Sequence, residues 1–362
     1  STVLMPFGGK YQLTETEGSV QKLPVFGFTN TCSIMTHGYH PELSLYSPYL
    51  GASYSVVEAL ARVTAMGGNY ETCRLTNQEY FERLHTEKWG KPMQALLGLI
   101  EAEMAFETPA IGGKDSMSGT FNDNSVPPTL ITFAVTTEKT EHIISPEFKE
   151  AGHHIYYIKH TPNDNQTPNY EELKANFAKV RELIRKGVIC SAATVKFGGL
   201  AEALCKMSFG NKIGVEVKTS EHIFDLSIGS IVVESSEAIY DEAFVLLGKT
   251  TDADTICINE ECITIDKAIT AWCERYNTMY PMTVDQEKGV IETPEYTANE
   301  RVHAKKTIDK PKVIIPVFPG QNCEYDTKQQ FERAGAEAEI YVFNNLNVES
   351  IERSLKELSE KI

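Results

Sequence analysis

The stretch IGGKDSMSG, residues 111–119, decides how this chain is read. Gly112 and Gly113 let the backbone approach a ligand closely. Lys114 can neutralise phosphate, Asp115 can hold a hard cation such as Mg2+, and Ser116 can donate to a phosphate oxygen. The spacing of a Walker A loop, GxxxxGK[ST], is absent. Without further context the plain alternative is a surface turn.

Outward from this stretch, helix and strand patterns alternate. Before it, Leu96, Leu97, Ile100 and Met104 mark a helix over about 93–106. Earlier, Ala52, Val56, Leu60 and Val63 mark another over 51–65, ended by Gly67-Gly68. After it, Pro127-Pro128 introduces the strand-like TLITFAVTT, and residues 1–140 form an α/β layer. A second unit, 141–283, opens with the apolar run 155–158 and the loop HTPNDNQTPN. Its clearest helix carries Leu173, Phe177, Val180, Leu183 and Ile184, with Asn169 and Glu172 at capping-box spacing and Gly187 at its end. Gly198-Gly199 opens a further helix through Leu200, Leu204 and Met207, and 269–276 has helical spacing. Residues 284–311 are polar and unperiodic, a linker pattern. Beyond them KVIIPVF, the turn PGQNCEYD, a helix over 327–334 and the strand AEIYVF make a βαβ opening. The 312–362 segment is too short to close a doubly wound sheet.

The 362 residues are 41% hydrophobic and 23% charged, which excludes disorder, collagen and coiled coil as the main state. With 34 basic and 50 acidic residues the formal charge is −16, which excludes a uniformly basic nucleic-acid surface. No apolar run reaches membrane-spanning length. The eight cysteines form no CxxC pair, and the nearest two, Cys257 and Cys262, match neither a zinc knuckle nor a secreted disulfide scaffold. Free thiols in a reduced, cytoplasmic compartment are the expectation. His37 and His40 are read as loop residues, and neither they nor the pair His153-His154 is assigned a metal.

IGGKDSMSG resembles a motif of the phosphoribosylformylglycinamidine synthases, the amidotransferases of purine biosynthesis. RLTNQEYFERL, KWGKPMQALLG, AIGGKDSMSGTFND and VPPTLITFAV are similar to consecutive blocks of the C-terminal synthetase half in the large single-chain form. GGLAEALCKMSFGN resembles its second-domain glycine motif, and VIIPVFPGQNCEYDTKQQFERAGAEAEIYVFN the opening of its glutaminase domain. The resemblance implies aminoimidazole ribonucleotide synthetase-like A (1–140) and B (141–283) domains, followed by a truncated class I glutaminase-like segment. It implies an ATP-dependent C–N ligase that turns formylglycinamide ribonucleotide, ATP and glutamine into formylglycinamidine ribonucleotide, ADP, phosphate and glutamate.

Carried over by position, the resemblance makes Gly112, Gly113, Lys114 and Ser116 the nucleotide-contacting stretch, and Asp115 and Glu58 metal ligands, with ATP or ADP and Mg2+ as cofactors. Two expected ligand positions hold Arg62 and Thr31 instead. Losing a carboxylate and gaining a guanidinium reduces the Coulomb attraction for Mg2+, so the site binds metal weakly or Arg62 contacts phosphate in the cation's place; alternatively Glu58 and Arg62 form an i,i+4 surface pair. The His-Asp-Ser set expected before Gly198-Gly199 reads AATVKF, leaving Lys196 as a phosphate contact. Cys323 is read as a structural thiol, because the glutaminase triad falls beyond residue 362.

The expected partners are a nucleotide, a phosphorylated substrate, the N-terminal half of the same enzyme, and a second copy through the A domain; nucleic acid and membrane are not expected. The chain alone should be inactive. The alternatives are a non-catalytic nucleotide-holding scaffold and a stand-alone aminoimidazole ribonucleotide synthetase-like ATPase.

Overall fold

The structure, a computed structural model, describes residues 2–281, 292–298, 300 and 303–362. It divides into two compact units, 1–284 and 285–362. Of the expected linker, residues 284–291, 299, 301 and 302 lie outside the described residues, and the rest carry no helix or strand.

In the first unit, strands Ser19–Lys22 (β1), Thr31–Gly38 (β2), Arg74–Tyr80 (β3), Ala110–Ser116 (β4) and Thr129–Lys139 (β5) form one sheet in the order β1-β2-β5-β3-β4. The last pair is parallel and the others antiparallel. Strands His154–Ile158 (β6), Ile189–Thr194 (β7), Gly214–Val217 (β8), Ile231–Ser235 (β9), Phe244–Thr251 (β10), Thr255–Ile258 (β11) and Glu261–Thr264 (β12) form a second, ordered β7-β9-β6-β10-β8-β11-β12.

Helix Pro41–Tyr46 (α1) leads into Pro48–Ala65 (α2), which Ser47 caps by accepting from Leu50 N. Fifteen of the eighteen residues of α2 are buried. Hydrogen bonds fix its register on the first sheet: Thr36 donates to the Ala59 carbonyl at 2.8 Å, and the hydroxyls of Ser55 and Thr132 meet at 2.7 Å. Its apolar side chains join a core that runs from Ile34 and Leu75 to Phe177 of helix Tyr170–Arg185 (α4) and Ile231 of the second sheet. Asn169 caps α4 through Glu172 N, but the Glu172 carboxylate accepts from Thr161 N at 2.7 Å, so the capping box is half formed.

Several expectations are corrected. Helix Gly90–Phe106 (α3) is where the periodicity puts it, but Leu96, Leu97, Ile100 and Met104 face outward. The buried face is Ala95, Gly98, Leu99, Ala102 and Phe106. Helices α2 and α3 pack so closely that a Cβ on Gly98 would collide with the Tyr49 carbonyl, which leaves room only for small residues between them. IGGKDS is an edge strand, β4, because it pairs in parallel with β3. His37 lies in β2 and not in a loop, while His40 caps α1 through Leu43 N. Helix Gly199–Phe209 (α5) follows Gly198 as expected, and helix Ile265–Glu274 (α6) starts four residues earlier than its spacing suggested. Cys257 and Cys262 are disulfide-bonded and not free. A two-residue turn, Asn259-Glu260, puts them opposite each other on β11 and β12.

In the second unit, Lys312–Val317 (β13) and Glu337–Val342 (β14) pair in parallel around Glu324–Arg333 (α7), and Val348–Lys361 (α8) follows. Cys323 is exposed, at the N-cap of α7.

Candidate functional site: a closed charge cluster beside a cleft

Helix α2 presents Glu58 and Arg62 one turn apart at the end of β2. Gly38 makes this possible, since a Cβ there would collide with the Ser55 carbonyl of α2. The chain leaving β2 then lies against the helix, and Tyr39 N donates to Glu58 Oε2 at 3.1 Å. Glu17 enters from the segment before β1, and Thr194 and Lys196 enter from the end of β7.

Glu17 is the hub. Its carboxylate accepts from Thr194 N and Thr194 Oγ1, both at 2.8 Å, from Arg62 Nε at 3.1 Å and from Lys196 Nζ at 3.3 Å. Burial works to raise its pKa, but Lys196, Arg62 and the Thr194 hydrogen bonds outweigh it and hold the carboxyl down at about 2. Arg62 also donates to the His37 carbonyl at 2.9 Å, and its Nε lies 4.0 Å from Glu58 Oε1. Burial pushes the Glu58 carboxyl up, with Arg62 and Lys196 opposing. Burial and Arg62 push the His37 imidazole down. Two carboxylates face two cations, so the cluster is formally neutral.

The cluster borders a cleft of about 360 Å³ whose walls include Tyr39, His40, Phe197 and Lys206. Across Leu226 and Ile228 lies a second cleft of about 540 Å³, walled by Tyr54, Tyr157, Lys159, His160 and Asp225. His160 is neutral there by geometry: Nδ1 faces the Ile228 carbonyl at 2.9 Å, and Nε2 accepts from Asn169 N at 3.0 Å.

Mg2+ requires near-octahedral oxygen ligation. The groups around Glu58 do not fit it, because the Arg62 guanidinium already reaches both carboxylates. Asp115 does not join them. Gly38, Thr132, Asn77 and Gly113 lie in register across four strands. That separates β2 from β4 by roughly 14 Å. Thr31, at the far end of β2 from Gly38, is roughly 23 Å away along the strand. Its hydroxyl accepts from Lys139 Nζ at 3.0 Å.

Asp115 instead neighbours Glu79 across the β3–β4 pair. Burial and the Asp115 charge push the Glu79 carboxyl up to about 7, and its Oε1 has no hydrogen-bond partner. Lys114 contacts Ser116 and lies 5.2 Å over the Tyr80 ring. Gly113 passes so close to β3 that a Cβ would sit 2.8 Å from the Asn77 carbonyl, whereas Gly112 faces open space.

Sequence reasoning singled out Glu58, Arg62 and Lys196 but not Glu17. Residue 17 sits in a polar run with no periodicity, and its partner Thr194 is 177 positions away.

Residues 310–359 match a CobB/CobQ-like glutamine amidotransferase domain. The phosphoribosylformylglycinamidine synthase subunit PurL of Methanocaldococcus jannaschii is 26% identical over 200 residues, covering 49% of this chain and 27% of its own length. Among solved structures, Thermotoga maritima PurL complexed with FGAR matches with TM-score 0.58 at 13% identity, covering 79% of this chain and 52% of that one. The same protein complexed with ADP gives 0.56 at 14%, covering 91% and 53%. The chain thus spans about a quarter of the curated relative and about half of each solved chain. The shared α/β architecture is aminoimidazole ribonucleotide synthetase-like. A unit similar to the phosphoribosylformylglycinamidine synthase subunit PurL and an amidotransferase-like opening thus lie in one chain, in that order.

Proposed function

We propose that this chain is the auxiliary, non-catalytic synthetase half of an ATP-dependent ligase. The complete enzyme would convert formylglycinamide ribonucleotide, ATP, glutamine and water to formylglycinamidine ribonucleotide, ADP, phosphate and glutamate in the cytoplasm. The observation that carries the assignment to an auxiliary half is the neutral Glu17–Arg62–Glu58–Lys196 cluster. Phosphoryl transfer depends on cations that follow the migrating charge, and here the cations are tied to carboxylates of the same fold. The relatives' complexes with FGAR and ADP support a nucleotide and a phosphorylated substrate as ligands.

In this reading the cleft beside the cluster holds ATP or ADP without a divalent ion at Glu58. Gly112, Gly113, Lys114 and Ser116 contact nucleotide from the β4 edge, and any Mg2+ sits with Asp115 and Glu79. Calorimetry should show nucleotide binding that changes less than threefold between Mg2+ and EDTA. Tight, strictly Mg2+-dependent ADP binding would overturn it. Glutamine- or ammonia-dependent turnover by this chain alone would overturn the non-catalytic assignment.

The partner is the N-terminal half of the same enzyme, or a second copy in its place. Two apolar faces of residues 1–140 await cover: Met93, Leu97, Ile100 and Met104 on α3, and Met35 with Phe133 on the sheet. Among the described residues no helix is long and apolar enough to cross a membrane.

A further inference from the structure

Three strands of the second sheet bring a histidine, a cysteine and a carboxylate together, away from the cluster above. Glu234, on β9, the second strand from the sheet edge, is fully buried. His153, immediately before β6, places Nδ1 2.8 Å from Glu234 Oε1. Cys190 sits where the β7–β9 register slips, so that Cys190 and Ser191 both reach Glu234. The Cys190 Sγ is 3.6 Å from His153 Nδ1, and Ser191 Oγ donates to Glu234 Oε2 at 2.8 Å. The three ligand atoms lie within 4.8 Å of one another.

From this geometry we infer that His153 Nδ1, Cys190 Sγ and Glu234 Oε1 form a zinc site with one position open to water. Tetrahedral Zn2+ with ordinary bond lengths separates its N and S ligands by about 3.5 Å and its N and O ligands by about 3.3 Å. The first matches the Sγ–Nδ1 distance, and the second needs the Glu234–His153 contact to open by about half an ångström. A soft thiolate beside an imidazole selects zinc over Mg2+.

The surroundings are those of a ligating histidine. Its other nitrogen, Nε2, lies 3.7 Å from Glu150 Oε2, a carboxylate placed to take the remaining N–H. The Glu234 carboxylate is held in place by Lys149 N at 2.8 Å and Glu150 N at 3.1 Å. Binding releases the Cys190 thiol proton to solvent and moves the imidazole proton from Nδ1 to Nε2. Thiolate, carboxylate and Zn2+ then sum to zero charge.

The test is titration of the chelator-treated chain with Co2+ and then Zn2+. The expected result is one equivalent of Co2+ with a near-ultraviolet thiolate charge-transfer band, bleached by stoichiometric Zn2+ and indifferent to excess Mg2+. Cys190→Ser should abolish the band, and Cys323→Ser should leave it intact. Glu150→Gln should weaken Zn2+ binding 10–100-fold, as for an outer-shell partner. Zn2+ should also raise the melting temperature of the unsubstituted chain, a readout that does not depend on any variant folding. No band and no shift in that chain, or a band surviving in a folded Cys190→Ser protein, would show that Glu234 only orders the 149–153 turn and would overturn the site.

Discussion

Arg62 Nε lies 3.1 Å from Glu17 Oε2, joining the central helix to a segment 45 residues earlier that belongs to neither sheet. This contact neutralises a buried carboxylate and also blocks the space a divalent ion would need. It makes folding and ligand chemistry depend on the same charge.

Glu17 gives the protein an acid-sensitive element. Its folded pKa, about 2, lies below the unfolded 4.5. The stabilisation is therefore complete above the unfolded value and is lost as pH falls from there toward 2. A shift of this size corresponds to about 3 kcal/mol. Glu17→Gln should lower stability by that order at neutral pH and flatten the acid limb of a urea-midpoint profile. An unchanged acid limb would remove Glu17 from the role.

Arg62→Asn should convert the cluster into a cation site. Glu17 and Glu58 then lack their guanidinium, and breaking a buried pair costs about 3–5 kcal/mol, less here because Arg62 is partly solvated. The variant should melt lower in EDTA, recover with millimolar Mg2+, and give Mg2+ binding heats that the parent lacks. Identical Mg2+ titrations of parent and variant would contradict this.

The two glycine sites should respond oppositely to alanine. Gly199 has φ 69°, and a Cβ there would meet the Ile223 carbonyl at 2.5 Å. Left-handed backbone alone costs about 1–2 kcal/mol for a residue with a Cβ, so Gly199→Ala should lose more than about 2 kcal/mol in denaturant melts. Gly112→Ala faces open space and should change stability by less than about 0.5 kcal/mol. Any fall in nucleotide affinity in the Gly112 variant would then report a ligand contact.

The exposed face of α3 predicts self-association. Leu97 and Ile100 are 53% and 49% exposed, so replacing both by Glu costs little folding energy. Light scattering should show the parent as a dimer at tens of micromolar and the double variant as a monomer. A parent that stays monomeric would show that the exposed face of α3 does not pair two copies of this chain.

The helices were readable because their spacing is local: Leu173 to Ile184 share one face, and all but the partly covered Leu183 are buried. Spacing does not say which of two faces turns inward, and on α3 the close approach of α2 buries the small-residue face and leaves the apolar stripe that marked the helix outside. Glu58, Arg62 and Lys196 stood out by their positions, whereas Glu17 did not, since its role depends on a chain reversal across 177 residues. The pair His153-His154 was not assigned a metal, because Cys190 and Glu234, 37 and 81 positions from His153, come beside it only through strand pairing. The disulfide was missed because its logic lies in the two-residue turn between the cysteines and not in their count.

The bonds that seat α2 on its sheet, from Thr36 to Ala59 and from Ser55 to Thr132, interleave with the charged positions 58 and 62 but do not use them. These two bonds hold the helix on the sheet without help from the charges at 58 and 62, which tie it instead to Tyr39 and Glu17. Single-codon changes at the charged positions can trade a bound ion for a built-in one while the mounting stays fixed. A change of charge at position 62 would thus lower stability through Glu17 while leaving the helix in its register on the sheet.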